Sequence, residues 1–306
     1  MLSFRRIVEI FAVVAMLPLT GCLFRSHRVE KPVLGPLKSA TQEELIDYLT
    51  SQAEKLQNLQ ATVDIDTNVG GAKKGKIVEY QQIRGYVFLR KPAMLRMVGL
   101  APLVRNTLFD MVSDGREFKL WIPPKNRFII GRNDVPGHNS TQALENLRPQ
   151  IFYDSLIIRP IDPQNEIAVM ENQTELATDA KGHKVEHDNY VLDVVGKRDK
   201  GWILERKIIF SRADLLPHQQ LHYDDGGEVA TNAQYHDYRD TDGISFPQQI
   251  QIVRPQEEYD ITLTMVKLQL NQGLPDDKFV LQQPAGVEVV HLNGGNATSS
   301  GPGASQ

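Results

Sequence analysis

The sequence predicts a mainly β protein of the α+β kind, with one long N-terminal helix ahead of a long antiparallel sheet. Three observations carry this. Thr41 and Glu44 form a capping-box pattern ahead of a run with helical spacing. From Val63 onward apolar residues recur with a period of two, in runs separated by Gly, Asp, Asn and Pro. That alternation stops once, between Asn133 and Leu156, where a short second helix is expected.

The chain opens with Arg5 and Arg6, then an uncharged stretch from Ile10 to Leu19. This is long enough for the core of an export signal and too short for a membrane-spanning helix. Leu19, Thr20, Gly21 and Cys22 close it and resemble the lipobox of bacterial lipoproteins, in which the cysteine thiol is acylated and becomes the first residue. The resemblance implies a signal peptide over 1–21, lipidation of Cys22, and anchoring to a membrane through it. One acyl chain holds a protein weakly, and several hold it stably, since each buried methylene contributes roughly 0.8 kcal/mol. The alternative is a free cysteine in an uncleaved signal. Leu23 is not the aspartate associated with inner-membrane retention, so an outer-membrane, periplasm-facing location is implied. Residues 22–40 contain Pro32, Gly35 and Pro36 without periodicity and read as a tether.

The remaining chain of this 306-residue protein suffices for one large domain or two small ones. A net charge of −4 with 24% charged residues supplies no electrostatic footprint for nucleic acid. Cys22 is the only cysteine, so no disulfide or multi-thiolate metal site can form within the chain.

After Thr41, Leu45, Leu49, Ala53, Leu56 and Leu59 recur every three or four residues and give the helix one apolar face. Its polar side is not enriched in cations, which favours packing on the protein over lying on lipid. Strands are then expected at Lys76 to Arg90, Leu95 to Gly99, Thr107 to Val112, Arg116 to Ile122 and Arg127 to Ile130, with turns at Ser113 to Gly115 and Pro123 to Asn126. Ser140 to Leu147 reads as the short helix, begun by a hydroxyl cap and closed before Pro149. A second meander follows: Tyr190 to Val195, Trp202 to Ser211, Pro217 to Tyr223, Val229 to Tyr238, Ser245 to Val253 and Tyr259 to Leu270. The stretch from Asn293 to Gln306 lacks large apolar residues, and residues 291–306 are expected to form a disordered tail.

Gly85 to Pro92 (Gly, Tyr, Val, Phe, Leu, Arg, Lys, Pro), then Leu95 and Arg96, resemble the glycine, apolar strand, basic residue, proline and arginine run of the LolA/LolB superfamily of bacterial lipoprotein carriers and receptors. Asp277, Lys278 and Phe279, followed by Pro284, Ala285 and Gly286, resemble its C-terminal ending. The resemblance spans residues 41–290. It implies a strongly curved antiparallel half-barrel, with the short helix as a lid and an apolar concave side that accepts acyl chains. Phe88, Phe109, Met111, Phe118, Leu120 and Ile122 are the candidate lining, and Arg90 and Arg96 are candidate contacts to a lid or a lipid headgroup, with pairing to sheet-face carboxylates the favoured alternative. Periodicity alone does not separate an open concave face from one packed solid.

Leu100 to Val104 joins two strands without a polar residue, although connections are ordinarily hydrophilic. Pro102 and Leu103 match the apolar protrusion of the LolB receptors, which implies contact with membrane or cargo; Val104 stands where that family has glycine. The alternative is a loop folded back onto the core. His218 and His222 share a strand face about 13 Å apart, too far for one metal ion. His187 beside Asp188 and the Asp224 to Gly227 turn suggest no chemistry, and no nucleotide loop, nucleophile elbow or metalloprotease helix occurs. The expectation is a non-enzymatic lipoprotein without cofactor that binds acyl chains of lipids or lipoproteins and assists lipoprotein sorting or insertion. A soluble carrier protein is a further implied partner. The alternative is an envelope interaction or sensor module on the same scaffold.

Overall fold

A computed structural model describes residues 37–71, 75–133, 145, 147–178, 184–199, 201–293 and 296–300. Cys22, the lipobox and most of the tether lie outside the described residues. The chain divides into two units, residues 1–34 with 175–187, and residues 35–174 with 188–306. The described part of the first is residues 175–178 and 184–187, the ends of two strands whose other parts belong to the second.

Helix α1 (Gln42–Lys55) starts at the expected capping box. The Thr41 amide donates to Glu44 Oε2 at 2.7 Å and the Glu44 amide to Thr41 Oγ1 at 3.2 Å. Leu45, Leu49 and Ala53 form its buried face. The helix ends before the expected Leu59, because a distant residue satisfies its terminus. Asn271 Nδ2 donates to the Lys55 carbonyl at 2.8 Å, and Asn271 Oδ1 accepts from the amides of Gln57 and Asn58. Leu56 caps the helix, and Leu59 belongs to the first strand.

The strands are β1 (Asn58–Gly71), β2 (Lys76–Arg90), β3 (Met94–Leu100), β4 (Thr107–Ser113), β5 (Glu117–Ile122), β6 (Arg127–Arg132), β7 (Glu166–Thr178), β8 (Lys184–Arg198), β9 (Gly201–Ser211), β10 (Pro217–Tyr223), β11 (Val229–Thr241), β12 (Ile244–Arg254), β13 (Tyr259–Leu270), β14 (Glu288–Asn293) and β15 (Asn296–Ser300). They form one open, curved sheet in the order β15-β14-β6-β5-β4-β3-β2-β1-β13-β12-β11-β10-β9-β8-β7. The expected mainly β fold is therefore present. One junction departs from it, since β14 runs parallel to β6. Residues 296–300, expected within the tail, pair antiparallel with β14, a backbone interaction that needs no apolar side chain.

Register makes one face of the sheet continuous. Ala61, Val87, Met97, Met111, Leu120 and Ile129 stand opposite one another across β1 to β6, and all are buried. Helix α2 (Pro149–Leu156) covers this inner face with Phe152 and Leu156, and the Tyr153 hydroxyl donates to the Pro92 carbonyl at 2.6 Å. The second helix is thus later in the chain than expected. Pro149 opens it at the first helical position, where a missing amide costs nothing. Most of the expected Ser140 to Leu147 helix lies outside the described residues. Helix α1 packs instead on Tyr190, Leu192, Ile208 and Phe210 of β8 and β9. The outer face of β2 to β6 is covered by the C-terminal segment through Leu274, Phe279, Leu281 and Val287.

Candidate functional site

Between α2 and the inner face lies a cavity of about 170 Å³. Ile65 of β1, Ile83 of β2, Met97 of β3, Phe109 of β4 and Ile261 of β13 wall it, and Phe152 of α2 closes it. Thr67, Lys125 and Tyr259 are the polar residues of the lining. Each β residue faces inward by strand alternation, since neighbours such as Arg84 and Asp110 point to the other face. Gly99 is opposite Phe109 in register and lets the ring lie flat against β3: a Cβ there would stand 2.3 Å from Phe109 Cε1.

Of the expected lining residues, Phe109 lines this cavity. Met111, Phe118, Leu120 and Ile122 face the same side but are packed into solid core, at 0 to 1% exposure. Phe88 is on the opposite face, half-buried beneath the C-terminal segment, with Lys278 Nζ 5.4 Å from its ring. The run Tyr86 to Leu89 is apolar on both sides because both sides are covered over part of its length, which hides the alternation that would have assigned Phe88. Ile83 and Ile261 alternated legibly with polar neighbours. Phe152 could not be found once Pro149 was read as a stop.

Among the described residues, Arg90 and Arg96 make no hydrogen bond to α2, and neither lines the cavity. Arg90 Nη1 donates to the Leu274 carbonyl at 2.7 Å and Nη2 pairs with Asp276 at 2.6 Å. Arg96 forks onto Asp110, at 3.0 Å and 2.7 Å, and donates to the carbonyls of Lys278 and Val280. Both bind the C-terminal segment to the outer face.

The connection after β3 projects outward. Leu103 is 100% exposed and Val104 68%, while the backbone closes on itself through Ala101 N to Asn106 O (2.8 Å) and Arg105 N to Ala101 O (3.0 Å). Leu103 and Arg105 have φ of 66° and 52°, a left-handed conformation that costs a non-glycine residue about 1–2 kcal/mol. The loop is not folded onto the core.

A polar cluster fills the space where α2 meets β9 and β10. Arg206, fully buried, donates to the carbonyls of Arg159 and Pro160 at 2.8 Å each and lies 3.3 Å from Glu166, which also pairs with Arg159. Burial and the charge of Arg159 lower the Arg206 guanidinium to about 10. Burial would raise Glu166, but the hydrogen bonds from Arg159 and the Asp162 amide outweigh it and hold the carboxyl below its usual range. Gln220 Nε2 joins the Asp154 carbonyl (3.1 Å) to His222 Nε2 (2.6 Å). Desolvation pushes the Asp154 carboxyl up to about 6, and desolvation with the charge of Arg206 pushes His222 down to about 4. His218 pairs with Asp214 at 2.8 Å, and Asp224 caps its own turn through the amides of Gly226 and Glu228. Among the described residues, no three His, Cys, Asp or Glu side chains are placed to hold a metal ion, and no helix is long and apolar enough to cross a membrane.

No family model matches this sequence, and no curated protein does. Among solved structures the chain is similar to a LolA superfamily protein from Nitrosomonas europaea, at 14% identity and a TM-score of 0.46, over 79% of this chain and 99% of that one. A DUF1329 family protein from Desulfovibrio piger is similar at 15% identity and a TM-score of 0.49, over 78% and 95% of the two chains. A putative outer membrane lipoprotein-sorting protein domain from Vibrio parahaemolyticus is similar at 13% identity and a TM-score of 0.46, over 77% and 94%. At these identities and TM-scores the likenesses carry no argument about function.

Proposed function

We propose that the protein is a non-catalytic lipoprotein, anchored through Cys22 at the outer membrane and facing the periplasm, that takes an acyl chain into the cavity beneath α2 and assists lipoprotein sorting or insertion. The cavity supports this reading most directly, being walled by aliphatic, aromatic and methionine side chains that adapt to a flexible chain. At about 170 Å³ it is comparable with an apolar cavity of ~150 Å³ that stays dry and admits benzene. It therefore holds the end of a chain, and a longer chain enters only if Phe152 and α2 give way. Burying about six methylenes at roughly 0.8 kcal/mol each gives ~5 kcal/mol before ordering costs. Affinity of that order allows release, which transfer requires. The exposed Pro102 and Leu103 are the proposed contact with membrane or cargo, since a wholly exposed leucine at positive φ contributes nothing to the core.

Native mass spectrometry of the full lipidated chain, extracted gently from membranes, tests the reading. Adducts of lipid mass beyond the covalent anchor, displaced by added decanoate, are expected. Adduct-free protein that also fails to take up decanoate would overturn it.

A further inference from the structure

The wall of the cavity is apolar except at three residues, and only one of them has a charge to offer. Thr67 spends its hydroxyl on the Asp260 carbonyl at 2.7 Å. The Tyr259 ring is buried, and burial pushes its hydroxyl up to about 12. Lys125 sits in the short turn between β5 and β6, half-buried, and among the described residues it is in no ion pair. A half-buried lysine on an apolar wall can lay its aliphatic stem along that wall and keep its ammonium in water.

The other charges near the lining are of both signs, with Glu257 acting on Arg148, Arg254 and Tyr259 alike. Arg148, next to the lining residue Leu147, is 9% exposed, donates through Nη1 to the carbonyls of Glu145 and Leu147, and stands 5.2 Å from the Phe118 ring. Arg254 lies near Tyr259, with its own charge matched by Glu257 at 2.5 Å. An apolar pocket needs no cation to hold a hydrocarbon tail. A cation on its wall does gain when the occupant carries an anion, because the pair then forms next to a surface that excludes water.

We propose that the cavity selects a single-chain amphiphile with an anionic oxygen head, a carboxylate or a phosphate, and that Lys125 holds that head while the tail runs toward Phe152. This rests on the acyl-binding reading and adds a head-group class to it. Lys125 is the specificity residue, and it separates anionic lipids from neutral ones of equal chain length.

The test uses the full lipidated chain in detergent with three ten-carbon probes bearing a terminal diazirine: the acid, the alkyl phosphate and the alcohol. Photolabelling is read at peptides containing Met97 and Phe152. The anionic probes should label about five-fold more than the alcohol, as a partly screened charge pair allows. That ratio should fall to about one in Lys125→Met, persist in Lys125→Arg, and shrink at high salt. Comparing each ratio with that of Lys125→Met removes unequal partitioning into detergent. A ratio unchanged in Lys125→Met, or a ratio of one in the unaltered protein with labelling intact, overturns head selection and leaves acyl binding standing. No labelling of these peptides by any probe overturns the acyl-binding reading beneath it.

Discussion

A Cβ added to Gly99 would stand 2.3 Å from Cε1 of Phe109, the residue opposite it across β3 and β4. The ring can escape only into the cavity it lines. Gly99→Ala should therefore fill the cavity from within at low cost to the fold, about 1 kcal/mol, the lower end for overpacking. Bound acyl chain should be lost from native mass spectra while the melting temperature falls little, and Phe109→Leu on that background should restore binding.

The connection that carries Leu103 is constrained by backbone alone. Leu103→Gly relieves a left-handed leucine, so stability should hold or rise by up to about 1 kcal/mol. Leu103→Glu should leave stability within about 0.5 kcal/mol, because the side chain is fully exposed. Both should weaken transfer of acyl cargo to vesicles. Unchanged transfer in both variants would remove the loop from the account.

Arg96 and Asp110 fasten the C-terminal segment to the face away from the cavity. Arg96→Met leaves a nearly buried carboxylate without its partner and should cost about 2 kcal/mol. Hydrogen exchange should quicken around residues 274–280, with acyl binding retained in the folded protein. Loss of binding at unchanged stability would give Arg96 the headgroup role instead of the carboxylate pairing.

Asp154 and His222 give opposite pH dependences. The folded pKa of His222 lies near 4 against 6.5, so the unfolded chain binds the extra proton and stability falls as pH drops from 6.5 to 4. The folded pKa of Asp154 lies near 6 against 3.8, so the folded chain binds the extra proton and stability falls as pH rises from 3.8 to 6. Between pH 4 and 6 the two slopes offset each other. His222→Gln should expose the Asp154 slope and Asp154→Asn the His222 slope, each about 3 kcal/mol across its window. Urea midpoints from pH 4 to 7 check both, and parallel slopes in the two variants would refute the assignment.

Much of the sheet was legible because strands such as Glu117 to Ile122 and the first half of Tyr259 to Leu270 alternate cleanly and the strands are flanked by turn residues. What was not legible depended on tertiary partners. The end of α1 is set by Asn271, more than two hundred residues away, and the start of α2 by a proline that local rules read in two ways. β7 was missed because its exposed side carries Ile167 and Val169, which obscure the pattern. At the site, sequence located Phe109 and the outward loop, but the same alternation marked Met111 and Leu120, which are packed solid. Whether an inward position faces a void is a property of what packs across from it, and no period along one strand contains that.

The most direct measurement is a crystal structure of the full chain with 10-bromodecanoate. An anomalous bromine peak is expected between Ile83, Met97, Phe109 and Ile261, with the carboxylate toward Lys125. A cavity free of ligand density, with bromine only at the protein surface, would contradict it.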